Sequence, residues 1–132
     1  MKDWVFRLTH GTDLRAGIEA YAADHAIRAA IVTAAVGCVD EAVLRLADGR
    51  TQRRYRQRFE IVALSGTLSS DGSHLHVALA DQDGQVIGGH LAYGTKVNTT
   101  CELALRQLDD EYEFRRRPDP ATGYDELEVI VK

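Results

Sequence analysis

Two Asp-Gly turn signals, at Asp71-Gly72 and Asp83-Gly84, divide the middle of the chain into segments of strand-like composition. The turns are flanked by runs in which apolar residues alternate with polar or small ones, and this combination is a strong local indication of β-hairpins. Because the two turns share the intervening segment, they predict consecutive antiparallel strands. A largely antiparallel sheet is therefore the framework into which the rest of the chain must fit.

The remaining segments add further strands and one helix. The pattern predicts strands at residues 4–8, 59–68, 96–108, 112–115 and 127–131, and an alternating segment at 39–46. Residues 27–36 are predicted to form a buried strand that ends at Gly37, with a helix as the alternative because the segment is rich in alanine. A helix is predicted from an N-cap at Thr12 or Asp13, because Leu14 and Ile18 begin a helical spacing of apolar residues. We expect an α+β fold, a largely antiparallel β-sheet packed with one main helix, in a single domain covering residues 1–132.

Pairing about the first turn separates an apolar face from a polar one. We expect Leu68 to lie against Leu75 and Leu64 against Leu79. The opposite face of the same two strands then carries Ser65 and Thr67 beside two histidines, with alanines below them. Small side chains around histidines indicate a pocket or a subunit contact.

Three of the five histidines fall within the segment HLHVALADQDGQVIGGHL, at His74, His76 and His90. His74 and His76 share a face because side chains at i and i+2 point the same way. With Gln82-Asp83-Gly84 as a three-residue loop, His76 lies opposite His90. With a two-residue Asp83-Gly84 loop the register slips by one, and His90 faces away. We favour the three-residue loop.

Three converging imidazoles would suit zinc or another divalent metal and would leave a fourth coordination position open. The alternative is that the histidines form hydrogen bonds within the fold or across a subunit boundary. Because an open position permits catalysis, a metal-dependent enzyme acting on a small molecule is a further alternative. Ser65 and Thr67 are candidate ligand-binding residues. His10 is another, since it precedes the helix in a loop whose backbone N–H groups could bind an anion.

Composition limits the function classes. The chain has 132 residues, 45% of them hydrophobic and 27% charged, which is ordinary globular usage. A formal net charge of −4 argues against a surface built throughout to neutralise phosphates, although Arg50–Arg58 and Arg115–Arg117 are local basic clusters. Cys38 and Cys101 lack metal-site spacing and are predicted to be free thiols. No membrane span or signal peptide is evident, and we expect a cytoplasmic protein.

The order of short motifs along the chain resembles the PPC domain, a family of plants and prokaryotes. The motifs are Arg7-Leu8-Thr9-His10-Gly11, Ala34-Ala35-Val36-Gly37, Arg58-Phe59-Glu60-Ile61-Val62, His74-Leu75-His76, Gly88-Gly89-His90-Leu91 and Thr122-Gly123-Tyr124-Asp125-Glu126-Leu127.

This resemblance implies an α+β fold and a homotrimer whose assembly involves Arg58, Phe59, Glu60 and Ile61. Gln57 stands where the plant form of that motif begins with Gly. In plants the domain follows DNA-binding AT-hooks, and no hook is present in this sequence. Some prokaryotic members resemble metal-binding proteins through the histidines that correspond to His74, His76 and His90. We therefore expect a homotrimer with a His-lined metal or small-ligand site and a DNA-associated or regulatory role. A purely structural assembly module without metal is the alternative.

Overall fold

The protein is described by a computed structural model that covers residues 1–132. Its elements are β1 Lys2–Thr9, α1 Leu14–Asp24, β2 Ala29–Arg45, β3 Gln52–Tyr55, β4 Phe59–Ser69, β5 Gly72–Ala80, β6 Val86–Leu91, β7 Lys96–Gln107, β8 Tyr112–Pro118 and β9 Asp125–Val131. Seven strands form one antiparallel sheet in the order β1-β7-β2-β4-β5-β6, with β3 paired to β2. The α+β fold with one helix is confirmed.

The sheet curls until its last strand meets its centre. β6 pairs with β5 along one edge and with the end of β2 along the other, so β2, β4, β5 and β6 form a closed circuit. Leu44 and Leu91, which face each other where β2 meets β6, are completely buried. Closure directs one face of these strands into the core and leaves the other outside.

Helix α1 packs its apolar stripe into this core. Leu14 and Ile18 are buried, as their spacing predicted, and Ala22 is the third buried residue of the helix. Of the two N-cap candidates the structure selects Asp13, whose carboxylate accepts a hydrogen bond of 3.0 Å from the amide of Ala16. The chain contains no helix with the length and apolar character needed to cross a membrane.

The prediction that a strand ends at Gly37 was wrong, because β2 runs without interruption from Ala29 to Arg45. Gly37 lies inside the strand, where the ladder with β7 is irregular. A Cβ at this position would lie 2.1 Å from the carbonyl oxygen of Thr100, so the residue permits a close approach of two backbones.

The register predicted for the first hairpin was also wrong. Ser69 pairs with Gly72, so that Leu64 faces Val77 and Leu68 faces Ser73. The turn consists of residues 70 and 71, one position earlier than expected. Because this moves the pairing by two residues, each side chain keeps its predicted face.

The three-residue loop predicted between β5 and β6 is confirmed. The amide of Asp81 donates to the carbonyl of Gln85 at 2.8 Å, and Gly84 adopts φ +78°. The chain ends in a separate two-stranded sheet, in which β8 pairs with β9 and extends three residues beyond the predicted 112–115 strand.

Candidate metal centre

Strand register sets the histidines on one face of the sheet. Arg45 on β2 pairs with His90 on β6, His90 pairs with His76 on β5, and His76 pairs with Ser65 on β4. Residues opposite one another in antiparallel strands project to the same side. His74 is two residues before His76 and shares that side. The four strands thus place three imidazoles and a guanidinium on the outside of the closed circuit.

The three imidazoles converge. One ligand nitrogen from each of His74, His76 and His90 lies within 4.8 Å of the others. The Nε2 atoms of His74 and His76 are 3.2 Å apart. Two nitrogens that bind one tetrahedral zinc ion at about 2.0–2.1 Å must lie roughly 3.3 Å apart. The donor type and the His74–His76 spacing therefore fit a zinc-type site, in which His90 would supply the third nitrogen and a fourth coordination position would be left for another ligand.

The surroundings favour neutral imidazoles, which is the form that can bind a metal. Burial, followed by the charge of Arg45, lowers the pKa of His90 from 6.5 to about 4. The pKa of His74 is lowered by burial, then by His76 and Arg116. Both rings are therefore uncharged at neutral pH.

A cleft of about 380 Å³ opens beside the triad, and the C-terminal hairpin forms one of its walls. Its lining includes Arg45, Arg116 and Tyr124 together with His74 and His90. The ring centroid of Tyr124 lies 5.9 Å from the Cζ atom of Arg45. The triad is thus open to solvent on a side where arginine side chains are close.

The candidate ligand-binding residues divide into two groups. Ser65 faces His76 and Thr67 faces His74 across the β4–β5 pair, so both lie on the face of the triad. The hydroxyl of Thr67 accepts a hydrogen bond of 3.0 Å from Arg116. His10 is placed elsewhere, at the end of β1, where its Nδ1 accepts from the amide of Thr99 at 3.2 Å.

The residues predicted to mediate assembly alternate between the core and the surface. Phe59 and Ile61 are buried within the subunit, whereas Arg58 and Glu60 are exposed. Only the second pair can therefore offer side chains to another chain. The role of this segment in assembly stays a prediction.

The Arg50–Arg58 cluster is less cationic than its sequence indicates. Arg54 and Arg56 both pair with Glu41, at 2.6 Å and 3.4 Å. Arg50, Arg53 and Arg58 form no ion pair with a carboxylate.

Cys38 and Cys101 are free thiols, and burial raises the pKa of Cys101 to about 11.

Sequence reasoning missed three of the residues beside the triad: Arg45, Arg116 and Tyr124. Arg45 carried a usable signal, since its alternation in β2 placed it on one face of a strand. For Arg116 and Tyr124 there was no local signal, because their position depends on how the β8–β9 hairpin packs on the main sheet.

Comparison with known proteins bears on both fold and site. The model of the Plants and Prokaryotes Conserved (PCC) domain family matches residues 1–109. The chain is 44% identical to the bifunctional protein GlmU of Synechococcus sp. (strain JA-3-3Ab) over 129 residues, 98% of this chain and 21% of that protein. It thus spans about a fifth of the length of the curated relatives that it matches.

Two solved structures have the same fold over nearly their whole length. A Salmonella enterica protein superposes with a TM-score of 0.94 at 32% identity, covering 99% of this chain and 94% of that one. A protein from Archaeoglobus fulgidus that is described as metal-containing gives 0.85 at 31% identity, covering 97% and 94%. The family match, the GlmU relatives and these structures agree with the motifs in the sequence: this chain belongs to the Plants and Prokaryotes Conserved domain family.

Proposed function

We propose that the domain binds one divalent metal ion, with zinc preferred, through His74, His76 and His90. The observation that carries the proposal is the convergence of three imidazole nitrogens within 4.8 Å on the outer face of the sheet. Imidazole is a ligand that suits zinc, and three protein ligands leave one position open. A bound zinc ion would supply a Lewis acid at that position.

Two further observations support the proposal. The pKa values of His74 and His90 are lowered, so that protons compete weakly with a metal near neutral pH. The Archaeoglobus fulgidus protein, 31% identical to this chain, is described as containing metal.

Metal analysis by inductively coupled plasma mass spectrometry tests the site. Protein purified without an affinity tag should carry about one metal ion per chain, and His76→Ala or His90→Ala should lose it because two imidazoles hold a zinc ion far more weakly than three. His25→Gln is the matched control, since His25 stacks on Tyr21 at the helix end and is not part of the triad. Metal that persists in both alanine variants, or far less than one ion in wild type, would overturn the proposal.

We also propose that the domain forms a homotrimer. Support comes from apolar side chains on the outer face of the main sheet, where Val5, Val36 and Val62 are 77%, 57% and 55% exposed. Apolar patches of this kind on small domains indicate protein contacts. The same assembly would present several metal centres on one particle.

A further inference from the structure

Three consecutive arginines in β8 differ in their partners. Arg115 pairs with Glu113, and Arg117 pairs with Glu128. Arg116, between them, projects to the other face of the strand, where it donates to the hydroxyl of Thr67 at 3.0 Å and lines the cleft beside His74. No carboxylate lies within ion-pair distance of its guanidinium. Its charge is therefore directed at the triad without an acidic partner.

Arg45 is also without a carboxylate partner. Its Nη2 atom lies 3.5 Å from Nδ1 of His90, which can accept from it only while that nitrogen has a free lone pair. A metal-bound histidine offers no such lone pair at Nδ1, because a metal on Nδ1 uses it and a metal on Nε2 leaves the ring proton on Nδ1. The guanidinium of Arg45 would then lose its acceptor beside a metal cation.

The third arginine in the cleft shows the contrast. Arg15 lies 3.6 Å from Glu19, and its Nε donates to Ser73 at 3.3 Å. Its charge is balanced within the protein. Arg45 and Arg116 are thus the two arginines at the triad that are available to a ligand.

We propose that the metal centre binds an oxyanion, a carboxylate or phosphate group, that fills the open coordination position and accepts hydrogen bonds from Arg45 and Arg116. Guanidinium groups match the geometry of both oxyanions. The inference rests on the proposed function, because the metal supplies the position that the anion fills.

The charges of the cleft imply that the oxyanion binds only when the metal is present. Three carboxylates, those of Asp71, Asp125 and Glu126, line the same cleft as the three arginines. One oxygen of Asp71 accepts from the backbone amide of Arg116 at 3.0 Å. Because Glu19 balances Arg15, the other two arginines and the three carboxylates leave the metal-free cleft with a small negative charge, and two added positive charges make it cationic. We expect the anion to bind the metal-loaded protein and not the metal-free form.

Cobalt(II) takes ligands similar to those of zinc and absorbs visible light. It therefore allows metal content and anion binding to be measured separately. Tag-free protein is loaded with cobalt, its metal content is determined, and sodium phosphate or sodium acetate is titrated at constant ionic strength while the visible absorption of the cobalt is followed. The two anions distinguish a phosphate ligand from a carboxylate ligand. Metal content measured after each titration shows that the ion has not been removed.

Arg45→Gln and Arg116→Gln should retain cobalt but need roughly tenfold more anion, the loss expected for one charge-assisted hydrogen bond. Arg115→Gln, one residue away on the opposite face of β8, should titrate as wild type. If wild type holds cobalt but responds to neither anion, or if both variants respond as wild type does, the metal site stands and this inference is overturned. If wild type holds no cobalt, the proposed function fails and the inference with it.

Discussion

Gly66 lies in β4 between Ser65, which faces His76, and Thr67, which faces His74. It shows how closely the backbones of β4 and β5 approach each other beneath the site. A Cβ at this position would lie 2.0 Å from the carbonyl oxygen of His74, and the residue has φ +153°. We expect Gly66→Ala to reduce the free energy of unfolding by about 3 kcal/mol, because both the conformation and the contact exclude a side chain. Equilibrium unfolding in urea measures the change.

Gly84→Ala provides the comparison for this substitution. Gly84 has φ +78°, but nothing lies within 4 Å of a Cβ placed there. The cost should be about 1 kcal/mol, arising from backbone conformation alone. Equal losses for the two variants would show that the contact with His74 contributes nothing.

At the scale of elements, the turn that joins β2 to β3 is stabilised by one carboxylate. Asp48 accepts hydrogen bonds from the amides of Arg50 and Thr51 and from the hydroxyl of Thr51. These bonds favour the ionised form and lower the pKa of Asp48 from 3.8 to about 2. The folded protein thus binds this proton less readily than the unfolded chain does.

The pH dependence follows from the sign of that shift. The contribution of Asp48 to stability is fully present above pH 3.8 and is lost as the pH falls through about 2. Wild type should be more stable than Asp48→Asn at pH 7, and the difference should narrow toward pH 2. Urea unfolding of both proteins at several pH values measures it, and a difference independent of pH would contradict the assignment.

Elements differ in how far the sequence could predict them. The β5–β6 loop was predictable because Asp81 and the left-handed Gly84 define its geometry within five residues. The β4–β5 turn was placed one position late because Gly72, with φ +140°, pairs in the strand rather than in the turn. The long β2 strand was divided at Gly37 because the approach of Thr100 is a contact between distant parts of the chain.

The candidate site was predictable to the same extent. Alternation placed His74 and His76 on one face, and the three-residue loop added His90. The error of two residues in the β4–β5 register did not change that face. The arginines beside them needed information from packing. Arg116 reaches Thr67 only because the C-terminal hairpin lies against the main sheet, and no periodicity within a strand encodes that arrangement.

A DNA-associated role would act through another element, the Arg50–Arg58 segment around β3. In that case duplex binding should weaken with salt, and Arg53→Gln and Arg58→Gln should each reduce the slope of log K against log salt by about 1. Arg54→Gln should change the slope less, because Arg54 already pairs with Glu41. Fluorescence anisotropy with a labelled duplex at several salt concentrations measures these slopes. Failure of wild type to bind at low salt would remove this role.

At the scale of the whole molecule, three exposed valines lie on β1, β2 and β4, within four consecutive strands of the main sheet. Val36 and Val62 flank the paired residues Gly37 and Ile61 on adjacent strands, and Val5 lies on β1 at the edge of the same sheet. We call these three residues the outer valine face. Burying such a face between subunits would remove apolar area from water and stabilise the assembly by about 25 cal/mol for each Å² buried.

The homotrimer proposal gives this face a measurable role. Wild type should sediment as a trimer in analytical ultracentrifugation, and Val36→Glu should shift it toward monomer because a carboxylate in an apolar contact has no partner. Val131→Glu is the matched control, since Val131 is 75% exposed but lies on β9, in the separate two-stranded sheet. A monomeric wild type, or a Val36→Glu variant that remains trimeric, would contradict the assignment. All three histidines lie on β5 and β6 of one chain, so one chain should be sufficient to bind the metal. The Val36→Glu monomer should therefore retain its metal, which the same metal analysis measures.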